Sequence, residues 1–149
     1  MTAEAVREYL QTISIGRPPL QVAVAGDTAA QAFPIVVRKP TLREAQRARS
    51  LLRAGSHDPA NFVVALEVKA AIAPHPGSAR AAAAHGTDEL ADTIRYVGTA
   101  HGLSSLIRDI YAAEVADAVI VVPIDGSATA ARVRAQVLPE FANGHTRVA

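Results

Sequence analysis

The stretch Leu103-Ser-Ser-Leu-Ile-Arg-Asp-Ile-Tyr-Ala-Ala-Glu-Val-Ala-Asp-Ala-Val-Ile-Val-Val-Pro123 joins two different apolar patterns. Its second part, Asp117–Pro123, is apolar almost throughout, which is typical of a parallel strand covered on both faces. In its first part, spacings of three and four predict an amphipathic helix ending near Val115, on the residues Leu103, Leu106, Ile107, Ile110 and Tyr111. The stretch therefore predicts the helix-to-strand half of a βαβ unit.

Three more short apolar runs followed by helical patterns predict repeats of this unit. The predicted strands are 20–25, 35–37 and 62–73, while the assignment of 94–99 is ambiguous. The predicted helices are 3–14, a turn over 29–33, one opening at Thr41, one or two over 78–90, and a last one after Gly126. Pro139 should kink or end that last helix near Leu138. The order predicts an α/β fold with about four parallel strands alternating with helices.

The helix that opens at Thr41 carries an N-terminal signal and a strongly basic side. Thr41 is the expected N-cap, Glu44 completes a capping box, and Gly55 stands where a C-terminal glycine stop belongs. Its expected apolar face is Leu42, Ala45, Ala48 and Leu52, and its expected solvent face is Arg43, Arg47, Arg49 and Arg53. The arginines fit either an anionic partner or an ordinary solvated helix face, and the second interpretation is favoured.

Composition excludes several functional classes. The 149 residues suit one domain, and the absence of cysteine excludes disulfides and thiolate chemistry. A net charge of +1 gives no strong field for nucleic acid. No apolar run approaches the roughly 20 residues that cross a bilayer, and the first residues lack a signal-peptide core. We therefore expect one cytoplasmic domain over 1–149, with a frayed tail over 143–149 and neither nucleic-acid nor membrane partners.

The strongest candidate site is the loop Gly26-Asp27-Thr28-Ala29. Small residues between a strand and a helix present backbone N–H groups, and the helix dipole favours an anion such as phosphate there. The alternative is that Asp27 or Thr28 only caps a short helix, and Asp27 itself would repel a phosphate. Similar pairs open later helices, at Gly77-Ser78, Gly98-Thr99 and Gly126-Ser127, where helix capping or a tight turn is the favoured interpretation.

The histidines give no metal-site spacing. None of the five forms the i, i+4 pair of a helical metal site, and they are His57, His75, His85, His101 and His145. His75 follows a predicted strand and fits an acid or base, although a surface loop histidine is favoured. The sequence therefore predicts no metal ligand and assigns no catalytic residue.

The segment Arg95-Tyr-Val-Gly-Thr-Ala-His-Gly, together with the helix and strand up to Pro123, carries a family resemblance. With Arg17-Pro18-Pro19 before the first strand and Val137-Leu138-Pro139 near the end, residues 15–141 resemble the C-terminal half of the luciferase-like flavin- or F420-dependent oxidoreductases. The branch that looks most similar is the nitrilotriacetate-monooxygenase type. Glu114 and Ala118 stand where that family usually has glycine.

The resemblance implies a fold, a cofactor and a partner. The family fold is an eight-stranded (β/α)8 barrel of about 250 residues. This chain would therefore form a partial barrel, closed by a homodimer or by a chain that supplies the missing half. The Gly26–Ala29 loop would bind the phosphate of FMN or F420, and Asp117 would be structural. The implied activity is flavin-dependent insertion of an oxygen atom into a small organic substrate. The alternative is a non-catalytic α/β module that binds a phosphate-bearing ligand or a partner chain.

Overall fold

The strands in the described part of the chain all run in the same direction. The computed structural model describes residues 17–84 and 93–142. The strands within these ranges are β1 (Gln21–Val24), β2 (Val36–Val37), β3 (Ala65–Ile72), β4 (Ile94–Gly98) and β5 (Ala118–Pro123). The helices are α1 (Thr28–Gln31), α2 (Leu42–Ala54), α3 (Pro76–Ala84), α4 (Ala100–Ala112), α5 (Ser127–Arg132) and α6 (Leu138–Phe141). The predicted helix over 3–14 and the tail over 143–149 lie outside the described residues.

The predicted class, an α/β fold with a parallel sheet alternating with helices, is confirmed. The ambiguous segment 94–99 forms β4, so the described sheet has five strands where the sequence predicts about four. Neighbours follow the order β1–β5–β3–β2, and β4 also pairs with β3. Since β5 occupies one edge of β3, both β2 and β4 lie on the other edge, β2 opposite Ala65 and Leu66 and β4 opposite Val68 to Ile72.

This order is consistent with a partial (β/α) barrel in an unusual arrangement. The strands β2, β3 and β5 are neighbours in chain order, apart from the extra strand β4. A closed ring of these strands would place β1 beside both β5 and β2. Here β1 pairs with β5, from Gln21 opposite Ala118 to Val24 opposite Val121, and lies at the opposite end of the sheet from β2. Residues 25–35 therefore cross the sheet to connect β1 with β2.

The two faces of the sheet are covered differently. The first face, which includes Leu66, Val68 and Val121, belongs to the main core with helix residues Ala45, Leu103, Ile107, Val133 and Val137. The second face carries a smaller cluster of Ala23, Ala65, Ala118 and Ile120, covered by Ala30 and Phe33 of the crossover. Further along it, Ala71 packs with Ala83 of α3 and with Ile124. Helical segments thus lie on both sides of the sheet.

Helix α2 follows its predicted ends more closely than its predicted faces. The Thr41 hydroxyl accepts the Glu44 N–H at 3.1 Å, and the helix ends before Gly55. Ala45 is buried as expected, but Leu42 and Leu52 are 37% and 42% exposed. The assignment of Arg49 to the solvent face is wrong, because this side chain is only 2% exposed. It is buried because it donates to the carboxylate of Asp117.

The last helical region is interrupted where proline predicts it. A π-helical turn, Val133–Val137, separates α5 from α6, and Pro139 lies in the first turn of α6. Proline lacks the N–H that would continue the α-helical ladder, and π turns insert one residue into a helix. Both Val133 and Val137 remain fully buried in the main core across the interruption. None of the helices in the described part of the chain is long and apolar enough to cross a membrane.

Candidate functional site

The candidate loops lie at one edge of the sheet because the strands that precede them are parallel. Gly26–Ala29 follows β1, Gly77-Ser78 follows β3, Gly98-Thr99 follows β4 and Gly126-Ser127 follows β5. We call this edge the carboxyl edge. Since β1 pairs with β5, the Gly26 and Gly126 loops leave from neighbouring strands. The most favourable place for a shared site is therefore the β1–β5 corner of this edge.

At the Gly26 loop, the structure shows a requirement for glycine and an unexpected ion pair. Gly26 has φ +94°, a conformation that side chains disfavour, and no atom lies within 4 Å of where its Cβ would be. Asp27 occupies the N-cap position of α1, but its side chain makes no capping hydrogen bond. The carboxylate instead accepts from Arg134, with Nη2–Oδ1 at 2.9 Å and Nε–Oδ2 at 3.2 Å. The hypothesis that Asp27 caps the helix through its side chain is therefore wrong.

The Asp27–Arg134 pair changes the electrostatics of the loop. The hydrogen bond and the charge of Asp27 raise the pKa of Arg134. A guanidinium has five N–H donors, and Asp27 receives two of them. The negative charge that would repel a phosphate is thus balanced, and Arg134 retains donors for an anion. Thr28 and Ala29 are exposed beside this pair.

At the end of β5, Asp125 carries an unsatisfied oxygen. Its Oδ1 accepts the Thr129 N–H at 3.3 Å, whereas Oδ2 is buried and has no hydrogen-bond partner among the described residues. A buried polar atom without a partner calls for a ligand, a water molecule or a proton. Gly126, at φ +83°, turns the chain there, and its neighbour Ser127 is exposed. Asp125 was not singled out from the sequence, although its place after an apolar strand was a usable signal.

Helix α5 also makes hydrogen bonds to the end of β3. The buried Thr129 hydroxyl accepts the Ile72 N–H at 3.0 Å, and Arg132 Nη1 donates to the Ile72 carbonyl at 3.0 Å. Both backbone groups of Ile72 are therefore held by side chains of α5. Helix α5 therefore holds the carboxyl end of β3 in place through two side-chain hydrogen bonds.

The other predicted loops have structural roles or remain simply exposed. Thr99 caps α4, since its hydroxyl accepts the Gly102 N–H at 3.2 Å. A Cβ on Gly98 would lie 2.5 Å from the Tyr96 hydroxyl oxygen, so the glycine makes room for that ring. Gly77 and Ser78 lie exposed in the first turn of α3, which begins at Pro76 rather than at Ser78 as predicted.

Charged side chains on the second face were missed. Arg38 donates to Glu67 through Nε at 2.7 Å and Nη2 at 3.0 Å, and Lys69, two residues along the same strand, is 7% exposed. Arg95 is the register neighbour of Lys69 on β4. Two charges spaced by two in an apolar run indicate one polar stripe on a sheet face, and this signal was available in the sequence.

Asp117 lies at the opposite, amino-terminal edge and is structural. It is completely buried, and Oδ2 accepts the Val64 N–H at 3.0 Å. Arg49 donates to both carboxylate oxygens at 2.9 and 3.1 Å, and Arg17 Nε donates to Oδ1 at 3.0 Å. Arg17 also stacks 3.8 Å from the centre of the Tyr111 ring. A buried carboxylate requires such partners, which explains why Arg49 turns inward.

The histidines do not converge on any site in the described ranges. His57, His75 and His101 are exposed, while His85 and His145 lie outside those ranges. Residues 17–84 and 93–142 contain no group of three His, Cys, Asp or Glu side chains that could hold a metal ion.

No protein-family model matches the chain, and no curated protein matches it significantly.

Proposed function

We propose that the chain is a partial flavin-binding barrel of the luciferase-like type, which binds the phosphate of FMN or F420 at the β1–β5 corner of the carboxyl edge. The observation that carries the proposal is the pairing of β1 with β5, which brings two glycine-turned loops together next to Arg134. Ligands of parallel α/β sheets bind outside the carboxyl ends of the strands.

The residues present fit such a cofactor. Arg134 and the N–H groups of Thr28 and Ala29 are suitable donors for a phosphate. Asp125, whose buried Oδ2 lacks a donor among the described residues, lies next to the Gly126 turn of this corner. A bound flavin would supply the redox chemistry that inserts oxygen into a small organic substrate. The chain's own part is to hold and orient it.

Fluorescence titration with FMN and with riboflavin tests this proposal. We expect FMN fluorescence to be quenched on binding, and riboflavin, which has no phosphate, to bind more weakly. Arg134→Gln should weaken FMN binding without changing riboflavin binding, whereas Arg80→Gln, an exposed arginine on α3, should change neither. Oxygen uptake with a flavin reductase and FMN, compared with the same mixture without the protein, then measures turnover. Absence of FMN and F420 binding near 1 mM, equivalent to about 4 kcal/mol, contradicts the proposal.

The second candidate is a non-catalytic α/β module that binds a partner chain. It is favoured by the crossover, because Ala30 and Phe33 cover the face that would line the interior of a closed barrel. Under this alternative, FMN binding without oxygen uptake, or no cofactor binding at all, is the expected result.

A further inference from the structure

The basic side of α2 lines an open groove at a distance from the carboxyl edge. A cavity of about 590 Å³ lies between α2 and the turn that follows α4, and its walls are Arg43, Gln46, Arg47, Ser50, Ala113 and Glu114. A second cavity of about 230 Å³ shares Ser50 and Glu114 and adds Arg49, Arg53 and Ala54. The two cavities adjoin at Ser50 and Glu114, and we call them together the α2 groove.

The groove has an excess of positive charge. Arg43 and Arg47 are exposed and make no ion pair or hydrogen bond with any other residue in 17–84 or 93–142. Glu114 supplies the one carboxylate among the lining residues, and its side chain is 65% exposed. Arg49 Nη1 lies 3.6 Å from Glu114 Oε1, which is a loose contact. Arg49 is held by Asp117, so the donors that Glu114 leaves to an external anion are those of Arg43 and Arg47.

Apolar side chains beside the groove indicate a protein segment rather than a small anion. Leu51 is 71% exposed and follows Arg47 by one helical turn, so that it stands at the rim. All the large hydrophobic residues that are exposed in the described ranges lie on α2, namely Leu42, Leu51 and Leu52. Arginine and exposed apolar residues together are typical of protein-binding surfaces.

We propose that the α2 groove binds an acidic segment of a partner protein, with carboxylates against Arg43 and Arg47 and an apolar side chain against Leu51. Glu114 occupies part of this surface and weakens binding. The site is independent of the proposed cofactor site, since Glu114 precedes β5 at the amino-terminal edge of the sheet.

Fluorescence anisotropy with a labelled peptide of alternating Glu and Leu residues tests the proposal on the full chain. We expect saturable binding that weakens with salt, and none to the matched Gln–Leu peptide. Arg43→Gln and Arg47→Gln should each weaken binding roughly two- to fivefold, and Glu114→Gln should strengthen it by a similar factor. Arg80→Gln, on α3, should have no effect.

Competition distinguishes the other possible ligands. Inorganic phosphate at equal ionic strength should not displace the peptide beyond the effect of salt. Displacement by phosphate alone, tighter binding of a single-stranded oligonucleotide through Arg43 and Arg47, or unchanged peptide binding by Arg43→Gln/Arg47→Gln each overturns the proposal. Because both arginines are exposed, the variants should keep the wild-type circular dichroism spectrum.

Discussion

At the scale of single residues, two positions near the start of β5 are unusual, Glu114 in its backbone conformation and Asp117 in its burial. Glu114 has φ +59°, a left-handed conformation that costs an L-residue about 1–2 kcal/mol. Asp117 is a completely buried carboxylate whose charge is matched by Arg17 and Arg49. We therefore expect a substitution at Glu114 to stabilise the protein and a substitution at Asp117 to destabilise it.

Glu114→Gly should stabilise the protein by about 1 kcal/mol, because glycine adopts positive φ without the cost of a Cβ. The lost contact with Arg49 is loose, at 3.6 Å, and subtracts little. Urea denaturation measures the difference in the free energy of unfolding. The adjacent Ala113→Gly, at φ −84°, is the matched control and should not stabilise. Equal effects of the two substitutions contradict the argument.

Asp117→Asn should destabilise the protein by about 3–5 kcal/mol, because it leaves the charge of Arg49 buried without a partner. The control is Glu140→Gln, which breaks the exposed pair with Arg108 and should cost less than about 1 kcal/mol. Chemical denaturation of both variants is the measurement. A small effect at Asp117 shows that water reaches Arg49.

At the scale of elements, the junction of β4 and α4 depends on one aromatic ring. The Tyr96 hydroxyl donates to the Thr99 carbonyl at 2.9 Å and lies over Gly98 and Gly102. A Cβ on Gly102 would overlap this hydroxyl, and the next ring atom is 3.2 Å away. The oxygen rather than the ring therefore excludes a side chain at this position.

Gly102→Ala should cost about 1–3 kcal/mol through this overlap. The same substitution made together with Tyr96→Phe should cost less than in the wild type, because the overlapping oxygen is gone. A double-mutant cycle by thermal or urea denaturation gives the coupling. Gly77→Ala, whose Cβ would meet only the end of Arg80 at 3.7 Å, is a control expected to be neutral. Additive effects of Gly102→Ala and Tyr96→Phe refute the steric explanation.

The elements also show how far the sequence was informative. The Thr41 cap and the interruption before Pro139 were predictable because each depends on residues within a few positions. The burial of Arg49 was not, because its partner Asp117 is 68 residues away and helical periodicity places an arginine toward solvent. The place of Asp125 after an apolar strand was visible in the sequence, but its unsatisfied oxygen was not, since that is known only once the surrounding atoms are placed.

At the scale of the whole molecule, strand type was predictable and strand order was not. Continuous apolar runs indicated parallel strands covered on both faces, and the structure has them. Nothing local in Gln21–Val24 specifies that β5, about a hundred residues later, becomes its neighbour. The resulting sheet leaves β1 at one end and β2 and β4 along the other.

Among the described residues these outer strands have no further strand beside them, which predicts association, because unpaired edge groups pair readily with another chain. We expect light scattering at micromolar concentration to give a dimer mass, or the chain to be isolated with a partner. Two lysine substitutions on β1, Gln21→Lys and Ala23→Lys, should be compared, since Gln21 is exposed and Ala23 is buried in the second-face cluster. The first should weaken association without loss of folding. A monomeric mass with a cooperative thermal transition contradicts this prediction.

Because residues 25–35 cover the second face of the sheet, a chain that closed the ring would have to replace their contacts with that face. Another chain that closed the ring by pairing with both β1 and β2 would have to displace Ala30 and Phe33 from the second-face cluster of Ala65, Ala118 and Ile120. The incoming chain must then cover Ala65, Ala118 and Ile120 itself, so the crossover competes with any chain that binds this face. The net free energy of association is therefore only the difference between the packing of the incoming chain on this face and the packing of the crossover that it displaces.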